Sequence, residues 1–470
     1  MNNPTARTFV LVASIVIILL FMHLLPTITV AGNEMRPVNV LSDVIPEVGE
    51  KAEEEKPAEM PQPMLAKVKA EEKKDKAEDG VSDEEAAEQQ RRAARPVPKG
   101  LTPIVDYGVN APGGMESFYK ALRNCKQMHR PVRIAYYGDS FIEADILTCQ
   151  LRELLQAKLG GSGAGWVDCG RTTNANRPTV RQQTSGFTSH SVMERKSFTS
   201  ASQGISQRYF TLAGPASLTL TGTNWKPRNA NWQRAALYFK TNGGMTIKGM
   251  PNGQGGETFQ PQASEEVQMV SMSGQMTSVK WSITGGGNGD NFFGAVVEGL
   301  KGVTVDNFAM RGCSGLTLAN IPEATLKSFA KARPYDLIVI QYGLNAAGPA
   351  STDKSCNHYK GQMAKVVQLF KRCFPGTSIL VVGVPDRGQR ASGGVQTMKG
   401  IELLLSYQQK LAQEEKVGFF SMFDAMGGRG SMGTFVKNGW AGKDYTHISM
   451  KGGDQLGRKL YDAIMFGYGE

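Results

Sequence analysis

Nothing in this chain is spaced to hold a metal ion. Histidine is scarce, five in 470 residues, and the six cysteines never combine with histidines at zinc-site intervals. No glycine-rich loop of the phosphate-cradling kind is present, and no paired-carboxylate motif suits glycoside cleavage. Nucleic-acid motifs are missing as well. These gaps point away from metal, nucleotide and glycosidase chemistry, and no cofactor is expected. Six cysteines allow fifteen complete disulfide pairings, and their spacing selects none.

Aromatic residues are absent from residues 34–99, which also hold few large apolar side chains. Such a segment cannot bury enough surface to offset the entropy of ordering, so a charged, flexible linker is expected there, partly helical over 64–95. It follows an apolar run, Phe9 to Leu25, with Arg7 before it and no Lys or Arg after it until Arg36. The run exceeds a usual signal-peptide core, so residues 1–33 read as a cytoplasmic tip and an uncleaved single-pass transmembrane anchor. The rest of the chain is then expected in the periplasm or outside the cell. Thr29-Val30-Ala31 is a tolerable cleavage sequence, which keeps secretion as the alternative. Residues 1–46 balance in charge, and residues 47–98 carry fifteen acids against ten bases, a balance of −5. With +10 for the whole chain, the remainder carries about +15. That surface suits an anionic polymer such as a cell-wall glycan, or an anionic membrane face; a merely soluble basic surface reads equally well.

Beyond the linker, strand and helix patterns alternate. Met115 to Met128 reads as a helix and Val132 to Tyr137 as a buried strand stopping at Gly138-Asp139-Ser140. A helical pattern follows through Ile142, Ile146, Leu151, Leu154 and Leu155, with Asp139 or Ser140 able to cap it. From 171 to 298 the chain turns rich in Gly, Thr, Ser, Asn and Gln, with short alternating runs separated at Gly214, Gly222, Asn242-Gly243, Gly249 and Gly274. This predicts an inserted antiparallel β-sandwich of jelly-roll type. Trp225, Trp232, Trp281, Tyr209 and Tyr238 offer a sugar-binding face for that insert, but filling its core is the favoured reading of each. Strands then resume at 303–308, 335–342, 378–384 and 417–421, with helices at 316–332, 357–374 and 394–415. Apolar strands separated by helices mean a parallel sheet covered on both faces. Residues 100–170 and 299–470 are therefore two parts of one α/β domain split by the insert.

Polar residues gather at the carboxyl ends of these strands, where open α/β sheets bind ligands. Ser140 follows the first strand, Gly312 the second and Asn345 the third. Asp444 and His447, three residues apart near the C-terminus, share a face on a turn. A carboxylate so placed fixes the imidazole tautomer while the other ring nitrogen reaches a serine, whose free hydroxyl is a poor nucleophile. The backbone N–H groups of Ser140 and Gly312 and the Asn345 side chain supply donors for a developing oxyanion.

In these blocks, Gly138-Asp139-Ser140, Gly312, Gly343-Leu344-Asn345 and Asp444-Tyr445-Thr446-His447, the sequence resembles the SGNH (GDSL-type) hydrolases. The match covers roughly 130–170 and 300–460. The resemblance implies a flavodoxin-like three-layer α/β/α fold, Ser140 as nucleophile, Gly312 and Asn345 as oxyanion donors, and Asp444 with His447 as the acid–base pair. Phe141 stands where many members carry Leu, and Ala346 where many carry Asp. An SGNH body split by a β-sandwich between the first two blocks is similar to the periplasmic peptidoglycan O-acetylesterases. That implies an esterase removing acyl, above all acetyl, groups from a polysaccharide, peptidoglycan favoured. Acyl transfer to a glycan, cleavage of lipid esters, and a non-catalytic glycan-binding role are the alternatives. The insert is expected to present polymer while the α/β body does the chemistry.

Overall fold

The computed structural model describes residues 95–170, 176–194, 196–391 and 394–469, with the pairs 29–30 and 33–34. Those pairs form a short antiparallel ladder within a unit spanning residues 1–80. The expected anchor and most of the linker lie outside the described residues. Among the described residues, no helix is long and apolar enough to cross a membrane. The unit 81–470 holds everything else.

Its first elements are β1 (Val105–Asp106), α1 (Glu116–Arg123), β2 (Val132–Gly138) and α2 (Thr148–Leu159). Nine strands follow: β3 (Gly165–Val167), β4 (Val180–Ser191), β5 (Arg208–Gly222), β6 (Trp232–Thr241), β7 (Met245–Pro251), β8 (Glu257–Phe259), β9 (Ser264–Met276), β10 (Ser278–Gly285) and β11 (Asn291–Glu298). The chain then returns through β12 (Val303–Ala309), α3 (Glu323–Ala332), β13 (Leu337–Gln341), α4 (Asp353–Cys373) and β14 (Ser378–Gly383). It closes with a hairpin, β15 (Gly388–Ala391) and β16 (Gly394–Thr397), then α5 (Ile401–Glu414), β17 (Gly418–Ser421), α6 (Met422–Met426), α7 (Ser431–Lys437) and α8 (Met450–Tyr468).

The central sheet runs β12-β2-β13-β14-β17-β1, parallel except for β1 at the edge. Every residue of β2, β12, β13 and β14 is buried, the signature of strands covered on both faces. The helices fall into two packed groups, α1, α2 and α8 in one and α3, α4 and α5 in the other. This is the α/β architecture expected. Register does the functional work: Gly138 of β2 pairs level with Ala309 of β12 and Gln341 of β13. The three following loops therefore leave the sheet side by side.

Local corrections have local causes. The helix expected straight after Ser140 is a 3-10 segment, Ser140–Asp145, broken before α2 by Ala144 and Asp145 at φ +54° and +67°. Asp145 is held there because its buried carboxylate accepts from Thr148, Thr179, Arg152 and Arg177. The helix expected over 316–332 splits at the extended Pro322 into a 3-10 turn and α3. The helix expected over 394–415 begins only at Ile401, since Gly394–Thr397 pairs as strand β16 with β15.

The insert is β throughout, yet its strands form one nine-stranded antiparallel sheet, β8-β7-β10-β5-β11-β6-β9, with β3 on β11 and β4 on β5. It folds across its own core: Gly249 of β7 lies under Met272 of β9, where a Cβ would approach the sulfur to 2.7 Å. Gly249 thus serves close packing inside a strand rather than a turn, and Gly214 and Gly274 also fall mid-strand. Because β3 begins at Gly165, the sheet reaches back before residue 171. Trp232, Trp281, Tyr238 and Tyr209 are buried, which matches the core role favoured for them, and of the five only Trp225 is exposed.

Nor does the insert hang free. Trp166, Tyr238 and Phe293 belong to the core of the α/β body, with rings on Phe329 of α3 at 6.1, 6.3 and 5.3 Å. A buried ionic cluster crosses the same seam. Glu298, at the end of β11, takes Arg133 of β2 and Arg333, and Arg333 also binds Asp306 of β12. Removing Glu298 would leave two buried guanidinium groups short of a partner, a strongly destabilising change. The expectation of a detachable substrate-presenting module therefore meets a fused core. The six cysteines are all free and buried.

Candidate active site

Five predicted site residues converge at the carboxyl edge of the central sheet. Ser140 Oγ lies 3.0 Å from His447 Nε2, and His447 Nδ1 lies 2.7 Å from Asp444 Oδ2. A carboxylate only accepts, so Nδ1 carries the proton and Nε2 is left to accept from the Ser140 hydroxyl. Partial burial pushes the Asp444 carboxyl up, but hydrogen bonds from the His447 ring and from the His447 and Thr446 N–H groups hold it below the usual range. The pair sits in a turn between α7 and α8, pinned where Gly442 N–H donates to His447 O and Ala441 bridges Ile448.

Ser140 opens the 3-10 segment, capped by Asp139, whose Oδ1 accepts from Phe141 N–H at 2.9 Å. Buried Asn307 of β12 anchors that segment by donating to Ile142 O at 2.7 Å. Gly312 stands in the loop after β12 at φ +74°, where a side chain would be strained although its Cβ would meet nothing nearer than Met193 Cε at 3.6 Å. Among the described residues, the backbone N–H groups of Ser140 and Gly312 have no protein acceptor. They are the pair of donors an oxyanion needs.

Asn345, expected as a third oxyanion donor, already has two partners. Its Nδ2 donates to Asp139 Oδ2 and to Cys313 O, each at 3.1 Å. It reaches an oxyanion only as a shared, three-centre donor. Its evident task is to tie the residue before Ser140 to the loop carrying Gly312. Asp139, read from sequence as a helix cap, is the other end of that tie. Burial pushes its carboxyl up to about 6, against the lowering pull of Phe141 N–H and His447. Gln408 of α5 was not foreseen either; it bridges Val384 N–H and Tyr342 O, joining the ends of β13 and β14. No local pattern marks it, since its partners lie 24 and 66 residues away.

Cys149, on α2, is no rival nucleophile: burial pushes its thiol up to about 12. No group of His, Cys, Asp or Glu among the described residues is arranged to hold a metal. A cleft of about 860 Å³, lined by Lys126, Lys158, Arg228 and Lys301, contains none of the five site residues. It lies where β2 and β12 begin, at the opposite edge of the sheet.

No family model and no curated protein matches the chain. Among solved structures, it is similar to one described as "Peptidoglycan O-acetylesterase in action, 5 min", at 22% identity and TM-score 0.63. That likeness covers 77% of this chain and 98% of the other. Est24, a carbohydrate acetylesterase from Sinorhizobium meliloti, aligns at 19% identity and TM-score 0.25, over 35% of this chain and 78% of its own. The first likeness extends over nearly all of its partner and establishes a shared fold. That fold is the one the SGNH resemblance implies.

Proposed function

We propose that the chain is a serine esterase that removes O-acyl, above all O-acetyl, groups from a polysaccharide. One observation carries the reading: a Ser140–His447–Asp444 relay at 3.0 and 2.7 Å beside two backbone N–H groups that have no acceptor among the described residues. Ser140 Oγ bonds to the ester carbonyl carbon while His447 Nε2 takes the hydroxyl proton. The ester C–O bond then breaks, and His447 returns that proton to the departing sugar oxygen. Water attacks the acyl-serine in the second half, its proton passing to His447 and back to Ser140 as the free acid leaves. Ser140 and Gly312 N–H hold the oxyanion in both steps, with Asn345 sharing a donor.

Peptidoglycan is the favoured polymer. The support is the fold shared with a peptidoglycan O-acetylesterase and a balance of about +15 beyond the linker, suited to an anionic glycan. An anchor at Phe9–Leu25 with the α/β domain in the periplasm or outside the cell fits the same reading. Acetate release from purified O-acetylated peptidoglycan, measured beside O-acetylated plant-type polysaccharides, tests it. Release from peptidoglycan is expected to be the faster. Equal or slower release would remove peptidoglycan as the favoured polymer, and an acylated glycan product in place of acetate would identify a transferase.

A further inference from the structure

The loop that carries Gly312 is gripped by the insert on both sides. Before Gly312, buried Arg208 donates from Nη2 to Ala309 O at 3.1 Å and lies 3.2 Å from Met310 Sδ. Its other nitrogen, Nη1, meets Asp168 at 3.3 Å, which fixes the fork. After Gly312, the Thr317 hydroxyl donates to Gln207 Oε1 and lies 3.2 Å from Cys313 Sγ. Gln207 is 1% exposed and adopts φ +59°, a left-handed backbone that a non-glycine residue holds only when its surroundings impose it. From Cys313 the line of contacts continues through its carbonyl to Asn345 and on to Asp139, the neighbour of Ser140.

We propose that the Gln207–Arg208 segment of the insert is the positioning element of the oxyanion hole, so that chemistry on any ester depends on the insert. The proposal rests on the serine-esterase reading. Neither side chain touches the reacting atoms. They act by holding Gly312 N–H where it converges with Ser140 N–H, and pre-aimed donors lose their value when displaced. The inserted sheet is then part of the catalytic apparatus and not simply a surface for polymer.

The test uses the full chain and 4-nitrophenyl acetate, a substrate too small to touch a glycan-binding surface. Gln207→Ala and Thr317→Val are each expected to lower kcat by about tenfold to a hundredfold with KM nearly unchanged, the scale set by small misplacements of catalytic groups. Thr317→Val combined with Asn345→Ala should cost less than the product of the two single losses, because both cut the same line of contacts. Arg208→Lys should recover part of the kcat lost in Arg208→Ala. Thr317 is half-buried and belongs to the α/β body, so its variant carries the test if a Gln207 variant fails to fold. Folded Thr317→Val with kcat within twofold of the parent overturns the proposal, as does a loss confined to KM or full additivity with Asn345→Ala. A parent inactive on every ester sinks the esterase reading and this proposal with it; an active parent with unchanged variants sinks this proposal alone.

Discussion

The two halves of the proposed esterase site, a proton relay and an oxyanion hole, are held in opposite ways. The proton-relay half is local and open: Asp444 and His447 lie in one turn, roughly half their side-chain surface meets solvent, and Asp444 is fixed by N–H groups two and three residues along. The oxyanion half is assembled from afar. Ser140, Gly312 and Asn345 follow three different strands, and their supports come from β12 at Asn307, from α5 at Gln408, and from the insert at Gln207 and Arg208. A turn can orient an imidazole by itself. Two backbone N–H groups from separate loops can converge only if the whole sheet edge is braced.

Predictions that sharpen this contrast begin with the local half. Asp444→Asn should leave the fold intact and lower kcat by about 10⁴-fold, the effect of a wrong imidazole tautomer in serine triads. Kinetics on an aryl acetate measure it, and a loss below tenfold would mean His447 is oriented by something other than Asp444. Asn345→Ala should cost about 10² in kcat, the lower end of the scale for one oxyanion donor because its N–H groups are shared with Asp139 and Cys313, with KM little changed. A loss seen in KM alone would make Asn345 a substrate contact.

The smallest expected effect concerns pH. Asp139, in the buried half, has its carboxyl raised to about 6 from an ordinary value of 3.8. Whatever stability this raised value confers is fully present below the ordinary value and lost as pH rises through about 6. Asp139→Asn does not titrate, so its stability relative to the parent should improve between pH 4 and pH 7.5. Denaturant midpoints at the two pH values check this, and a flat or falling difference would place Asp139 in a wetter site than its 2% exposure indicates. Asp444, held below its ordinary value and half exposed, should show no such drift over that range.

Legibility from sequence follows the same division. Ser140, Gly312, Asn345, Asp444 and His447 could be named because strand ends and short motifs are local features. The parallel sheet could be named because β2, β12, β13 and β14 are continuous apolar runs. What escaped was long-range. Asn345 was expected as an oxyanion donor, and its added ties to Asp139 and Cys313 span 206 and 32 residues. Strand β4, Val180–Ser191, is polar along most of its length and pairs with β5, so alternation gave no sign of it. The fusion of insert and body escaped for a related reason. Tyr238 read as an aromatic of the insert alone, and only the fold shows it against Phe329 of the body.

In the proposed reaction Ser140 forms a covalent acyl bond under the control of both halves. The most direct measurement is the mass of the intact protein after treatment with a fluorophosphonate, followed by peptide mapping. One adduct is expected, on the peptide containing Ser140, and none in Ser140→Ala. An unmodified parent, or an adduct that persists in Ser140→Ala, would contradict it.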